Sequence, residues 1–273
     1  MSAEDSLGTK KDERQEKPAE KQPAEEQPAE LTPEEKKAER IAWFYDNPMR
    51  EFPLGSRILM GFIFSICGAF TKLVWPWTIE NADRLWKAEG GQVIVMNHVS
   101  MLDPVVIVCA AWFHGRRVRT IYKSEFDKVP MASWLFARAG AIPVKRGTAD
   151  LKAVRLAERA LKRGEDLLIF PEGTRIRTDD QEVEIHGGFA LIARLAKAPV
   201  VPVGIVGARD ITPQGTHFKR LFWRVFLRVG EPMRFSDLKS KKSKEQTAEM
   251  ETLAMERVYE LRDALRAEHP KKH

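Results

Sequence analysis

The chain has 273 residues, 43% of them hydrophobic, which is enough for one sizeable core and calls for one main domain with appendages. Its formal charge of +6 is unevenly spread: residues 1–40 hold 8 Lys+Arg against 12 Asp+Glu, a net of −4, leaving +10 on residues 41–273. A body this basic seeks acidic partners such as anionic lipid head groups, phosphorylated substrates or an acidic carrier protein; no recognisable nucleic-acid motif is present, and the two cysteines, Cys67 and Cys109, lie among apolar residues as packing groups, which excludes a disulfide framework.

In chain order, residues 1–40 contain no aromatic residue, and Lys17-Pro18-Ala19-Glu20, Gln22-Pro23-Ala24-Glu25 and Gln27-Pro28-Ala29-Glu30 repeat every five residues. The composition predicts a disordered, solvated tail. It lacks the apolar core of a cleavable signal peptide, so the catalytic domain is expected on the cytoplasmic side. Residues 41–80 form a membrane-associating segment whose apolar run, Ile58 to Ile79, carries the single charge Lys72. Lys72 and Pro76 argue for a membrane-dipping helix or short helical hairpin, with Trp75, Trp77 and Trp43 near the interface and Arg50 and Arg57 outside it. A tilted spanning helix over 58–79, with Lys72 snorkelling, and a buried core helix are the alternatives. The chain would thus sit on the cell membrane as a peripheral or monotopic protein.

Residues 81–240 alternate strand-like and helix-like patterns. The run Gln92 to Met96 is short, apolar and followed by polar residues, the mark of a buried strand; Val118–Tyr122 and Ala141–Val144 also read as strands, and Met131–Ala139 as a helix. Thr148 or Asp150 can cap a helix running to Arg163, terminated by Gly164. Leu167–Phe170 and Val200–Ile205 are continuous apolar runs, expected of buried strands, with a helix over Ala190–Lys197 between them. The alternation from Trp223 to Val229 predicts a half-exposed edge strand. Residues 241–273 carry an amphipathic helix from about Glu245 to Ala267, with Met250, Leu253, Val258, Leu261 and Leu265 inward. The sum is an α/β layered domain with a mostly parallel or mixed central sheet flanked by helices.

The chemistry concentrates where strands end. In Asn97-His98-Val99-Ser100-Met101-Leu102-Asp103 a histidine and an aspartate stand five apart, about 140° apart on one unbroken helix, so they meet only if the chain turns between them. Pro104 supplies the reason for a turn and predicts a helix start near itself. Asp103 can then accept a hydrogen bond from one imidazole nitrogen, leaving the other to take a proton; the alternative makes Asp103 a helix cap and His98 a turn residue. Gly140 to Arg146 ends a strand in two cations, and Phe170-Pro171-Glu172-Gly173-Thr174-Arg175 follows a buried strand. Ligands in open α/β sheets sit beyond the carboxyl ends of strands, so His98, Arg146, Glu172 and Arg175 can line one crevice, with two arginine forks for a phosphate. Gly173 permits close backbone approach and Thr174 offers a hydroxyl and an amide. Read locally, either arginine would merely ion-pair with Glu172.

These four ordered blocks resemble the glycerolipid acyltransferases, the 1-acyl-glycerol-3-phosphate acyltransferases in particular: Asn97 to Asp103, Gly140 to Arg146, the unaltered Phe170 to Arg175, and Val200-Val201-Pro202-Val203-Gly204-Ile205. The similarity runs from about Trp75 to Ser236. It implies transfer of a fatty acyl group from an acyl thioester to the free sn-2 hydroxyl of 1-acyl-glycerol 3-phosphate, giving phosphatidate, with His98 as general base, Asp103 orienting it and no acyl-enzyme. It further implies that Arg146, Glu172, Gly173, Thr174 and Arg175 hold the glycerol phosphate, that an apolar groove takes the acyl chain, and that no cofactor is bound, acyl-CoA or acyl-carrier protein being the co-substrate. Where the family often has a cation after the third block, this chain has Ile185-His186-Gly187-Gly188, so His186 is either a phosphate ligand or a loop residue. Asn97 and Ser100 complete the candidates; a serine nucleophile at Ser100 is discounted for want of a nucleophile elbow, and a metal on His98, Asp103 and Glu172 for want of a second histidine or cysteine. The rival readings are an acyltransferase for another acceptor, a lyso-ornithine lipid or glycerol 3-phosphate, and a catalytically silent lipid-binding protein of the same fold.

Overall fold

In a computed structural model, residues 32–145, 150–178, 180–212, 219–240 and 242–270 are described. In chain order the elements are α1 (Pro33–Asp46), α2 (Leu54–Val74), β1 (Trp77–Glu80), α3 (Asp83–Trp86), β2 (Val93–Met96), α4 (Leu102–Phe113), β3 (Val118–Lys123), α5 (Pro130–Arg138), β4 (Ile142–Val144), α6 (Leu151–Lys162), β5 (Asp166–Ile169), α7 (Gly188–Ala196), β6 (Val200–Val206), β7 (Val225–Val229) and α8 (Ser243–Glu268).

The strands make one seven-stranded sheet in the order β1-β7-β6-β2-β5-β3-β4. Every neighbouring pair is parallel except β6 with β7. Successive side chains of a strand point to opposite faces. Val93 and Val95 of β2 accordingly enter one core, with α6, α7 and α8, while Ile94 and Met96 enter another, with α3 and α4. The central strands are buried on both faces, which is why their sequences are continuously apolar. The parallel strands β2, β5 and β6 also send their carboxyl ends to the same edge of the sheet.

Three expectations change. The strand read at the sheet edge, β7, is covered by β1, which pairs with it from Trp77↔Val225 to Glu80↔Arg228 and is itself the edge. The apolar run therefore divides: α2 ends at Val74, Pro76 stops the helix, and Trp77 to Ile79 leave it for the sheet. Trp75 donates its indole N–H to the Arg220 carbonyl at 2.8 Å, and Lys72 folds back over the Trp77 ring, 4.1 Å from its centroid, and bonds the Trp77 carbonyl. On α8, Leu253 is exposed, and Ala254 and Met255 take the inward positions beside Met250, Val258 and Leu265.

One face of α2 packs against α4 through Met60, Phe64 and Cys109. A Cβ on Gly61 would lie 2.8 Å from the Trp112 ring, so glycine is what lets the two helices approach. The other face leaves Leu54, Ile58, Phe62, Ile66, Phe70 and Leu73 more than half exposed, and α2 is long and apolar enough to cross a membrane. At the amino-terminal side, α1 begins at Pro33, within the stretch whose composition reads as tail. Thr32 and Glu35 form a reciprocal capping box, with Thr32 N–H donating to Glu35 Oε2 at 2.8 Å.

Candidate active site

β2 delivers Asn97 and His98 to the carboxyl edge of the sheet. The Asn97 side chain extends the β2–β6 ladder past its last backbone pair: its Nδ2 donates to the Ile205 carbonyl at 3.1 Å and its Oδ1 accepts the Ile205 N–H at 2.8 Å. Asn97 is thus buried as a clamp that fixes the backbone one residue before His98.

The turn between His98 and Asp103 is closed by the aspartate itself. Oδ2 of Asp103 lies 2.9 Å from His98 Nδ1 and accepts the N–H groups of Val99 and Ser100 at 2.7 and 2.8 Å. Ser100 Oγ accepts the Leu102 N–H at 3.3 Å, so α4 begins at Leu102, two residues before the expected start, and Pro104 sits in its first turn, where a missing N–H costs nothing. One carboxylate thus both closes the turn and bonds the His98 ring. Its side chain is fully buried while that of His98 is 17% exposed. Burial raises the Asp103 pKa against the opposing pull of the His98 pairing and the two backbone donors. With the carboxylate ionised, Nδ1 carries the proton and Nε2 presents a lone pair. The imidazole is also stacked on Phe170, centroids 4.1 Å apart.

Glu172 reaches the same turn from the end of β5. It is buried, its Oε2 accepts the His98 backbone N–H at 2.6 Å, and its Oε1 accepts the Tyr259 hydroxyl, from α8, at 3.2 Å. Burial raises the pKa of Glu172 and, together with the carboxylate beside it, pushes Tyr259 up to about 12. No ion pair joins Glu172 to an arginine among the described residues. The next backbone contact runs the other way, with Ile176 N–H donating to the His98 carbonyl at 2.7 Å, so the β5 loop grips His98 from both sides. Gly173 has φ +61°, and a Cβ there would lie 2.7 Å from the His186 ring. His186 is tied to the same loop by its N–H, which donates to the Pro171 carbonyl at 2.8 Å. Thr174 is exposed. Arg146 lies outside the described residues.

A cavity of about 1180 Å³ begins at this turn. Val99, Ser100 and Leu102 line it beside Cys67, Phe70 and Thr71 of α2, while Arg175 and Arg177 of the β5 loop supply cations. His98, Asp103, Glu172, Gly173 and His186 therefore converge, with Arg175 on the adjoining cavity. Residues that sequence reasoning passed over are Tyr259, which braces Glu172 from 87 positions away, and Ile205, which pairs with Asn97; a long-range contact leaves no local pattern, although Ile205 falls within the fourth motif block.

Residues 77–206 match the family model described as Acyltransferase. The chain is 28% identical over 161 residues to a 1-acyl-sn-glycerol-3-phosphate acyltransferase of Streptococcus pneumoniae, covering 59% of this chain and 56% of that one. It is 36% identical over 121 residues to a lyso-ornithine lipid O-acyltransferase of Pseudomonas aeruginosa, 44% of each chain. With a 1-acyl-sn-glycerol-3-phosphate acyltransferase of Bacillus subtilis it shares 29% identity over 190 residues, 68% of this chain and 88% of the relative. The matched stretch spans about half the length of the first of these curated relatives. The crystal structure of the 1-acyl-sn-glycerophosphate acyltransferase PlsC from Thermotoga maritima superposes with a TM-score of 0.60 at 22% identity, covering 86% of this chain and 90% of that one, which establishes the shared fold.

Proposed function

From the match of residues 77–206 to the Acyltransferase family model, we propose that the chain is an acyltransferase that transfers a fatty acyl group from an acyl thioester to the sn-2 hydroxyl of 1-acyl-glycerol 3-phosphate, giving phosphatidate. The observation that carries the reading is the 2.9 Å contact between His98 Nδ1 and a buried Asp103 carboxylate, beside a cavity with both arginine and apolar walls. His98 Nε2 takes the hydroxyl proton as the oxygen attacks the thioester carbonyl carbon; the C–S bond then breaks and the imidazolium returns the proton to the departing thiolate. Asp103 holds the ring in the productive tautomer and stabilises the imidazolium. No acyl-enzyme forms, and the only co-substrate is the thioester, acyl-CoA or acyl-carrier protein.

Arg175, with Arg146 and the Gly173-Thr174 backbone, holds the acceptor phosphate, and His186 steadies that loop. Glu172 acts through His98: both its oxygens are engaged by protein donors, so it positions the catalytic turn and leaves the phosphate to the arginines. The apolar residues of α2 in the cavity wall take acyl chain, and the exposed stripe of α2 seats the protein on the cytoplasmic face of the cell membrane as a peripheral or monotopic enzyme.

A second reading, acylation of a lyso-ornithine lipid, draws support from the 36% identity to the Pseudomonas aeruginosa enzyme. Its acceptor carries no phosphate. Purified protein in detergent, offered lysophosphatidate, lyso-ornithine lipid and glycerol 3-phosphate against both thioesters, tests the choice. Lysophosphatidate is expected to give the highest kcat/KM, and a preference for the ornithine acceptor overturns the assignment. Lipid association without transfer to any acceptor would favour the silent binding protein.

A further inference from the structure

A second cavity, of about 530 Å³, also has Val99 in its wall, one residue from His98. The rest of that wall comes from the end of β6, the start of β7 and the end of α8, mostly outside the 77–206 domain. One contrast separates it from the larger cavity: no residue of α2 lines it, so it lacks the lipid-facing wall. Four arginines line it, Arg209, Arg224, Arg262 and Arg266, of which Arg209, with Asp210, also lines the larger cavity; of its acids, Asp210 and Glu268, the Glu268 carboxylate is already taken up by Arg228, whose Nη1 donates to it at 2.8 Å. Its aromatic side is rigid: His269 is stacked on Phe226 with centroids 3.6 Å apart and planes 4° from parallel. Arg262 is held over the Tyr259 ring, 4.5 Å from its centroid, with Nε and Nη2 on Asp263 at 2.8 and 3.0 Å.

Two substrates have to meet at His98. The lipid acceptor belongs with the cavity that runs along α2. The donor is a water-soluble anion, and coenzyme A and acyl-carrier protein present the thioester on the same phosphorylated pantetheine arm. Arginine forks are the side chains suited to such a phosphate. Resting on the acyltransferase reading above, we propose that the smaller cavity receives the acyl donor, with Arg224 and Arg262 binding the phosphate of its phosphopantetheine arm while the thioester passes Val99 to reach His98. The thiol product leaves by the same opening, and the lipid product stays on the α2 side.

The test compares the wild-type protein with Arg224→Gln, Arg262→Gln and the double variant, using acyl-CoA, acyl-carrier protein and the same acyl pantetheine without its phosphate, each with lysophosphatidate. Arg224 is exposed, so its single variant keeps the fold. KM for the phosphorylated donor is expected to rise about tenfold or more in the double variant, as for loss of charge-assisted bonds, and the preference for phosphorylated over phosphate-free thioester to fall by the same factor. An undiminished preference, or a rise in the lysophosphatidate KM in place of the donor's, overturns the proposal. Calorimetric titration with 4′-phosphopantetheine gives a readout independent of turnover: binding weakened about tenfold in the double variant supports the site, and equal binding overturns it. Wild-type protein that binds this probe through the two arginines yet transfers nothing from any donor would overturn the acyltransferase reading and leave the cavity assignment standing.

Discussion

At the scale of single residues, the site is one imidazole with four restraints: a carboxylate on Nδ1, an aromatic face, and backbone bonds to the N–H and C=O of the same residue. His98→Ala, which removes the proposed base, is expected to lower kcat by about 10² or more without loss of fold, read by turnover together with circular dichroism. Asp103→Asn keeps the shape but presents an amide where the imidazole N–H needs an acceptor, and costs a comparable or larger factor. Tyr259 distinguishes positioning from catalysis. Its hydroxyl bonds the carboxylate that holds the His98 backbone, so Tyr259→Phe is expected to lower kcat a few-fold with KM for the acceptor unchanged; a rise in KM alone would make Tyr259 a substrate contact. The His98–Asp103 pair was legible in the sequence because Pro104 announces a helix start close behind the histidine, although the turn itself is closed by Asp103 and Ser100. Glu172 was legible as a motif residue but its contacts were not, since the donors that occupy it come from the turn after β2 and from α8.

At the scale of elements, two buried ion pairs fix the opposite, amino-terminal edge of the sheet. Arg119 of β3 is fully buried, bonds Glu165 at 2.7 Å through Nε, and donates to the carbonyls of Phe44 and Asn47, while Glu165 also accepts the Met49 N–H. That pair ties α1 and its following turn to the sheet. Truncating one member strands a buried charge, and Arg119→Ala is expected to cost about 3–5 kcal/mol in urea unfolding; a loss under 1 kcal/mol would contradict it. Asp166, at the start of β5, pairs with Arg116 and accepts the Gln92 N–H at 3.2 Å. Burial nevertheless lifts its pKa to about 6, and the arginine pulls it only part of the way back. A raised carboxyl favours the fold in its protonated form, so that contribution is complete below pH about 4 and is lost as pH rises through about 6, an effect of roughly 2–3 kcal/mol. Asp166→Asn is expected to flatten this part of the stability-versus-pH profile, measured by urea unfolding between pH 4 and 7; an unchanged slope contradicts the assignment. Neither pair was legible in the sequence, because Arg119 and Glu165 meet only once β3 and β5 align. The strands themselves were, through continuous apolar runs, and the misread edge has a definite cause: Trp77 to Ile79 of β1 stand at the end of an apolar run that follows the helix pattern of α2 until Pro76 breaks it.

At the scale of the whole molecule, the sheet's carboxyl edge faces two cavities that share Val99, Arg209 and Asp210; both carry arginines, and the larger is walled in part by the apolar helix. The exposed apolar face of α2 is the surface proposed above to meet the membrane. Phe62→Glu with Ile66→Glu places charges in that stripe, away from the α4 contact, and is expected to abolish co-flotation with anionic vesicles while leaving the unfolding transition in place; undiminished flotation would move the membrane contact elsewhere. The account as a whole stands on His98 as the base that activates an acceptor hydroxyl. The measurement that reaches it most directly is acyl transfer to lysophosphatidate by purified wild-type and His98→Ala protein at equal concentration. The account predicts phosphatidate from the first and a loss of about 10² or more in the second; equal turnover by the two proteins would contradict it.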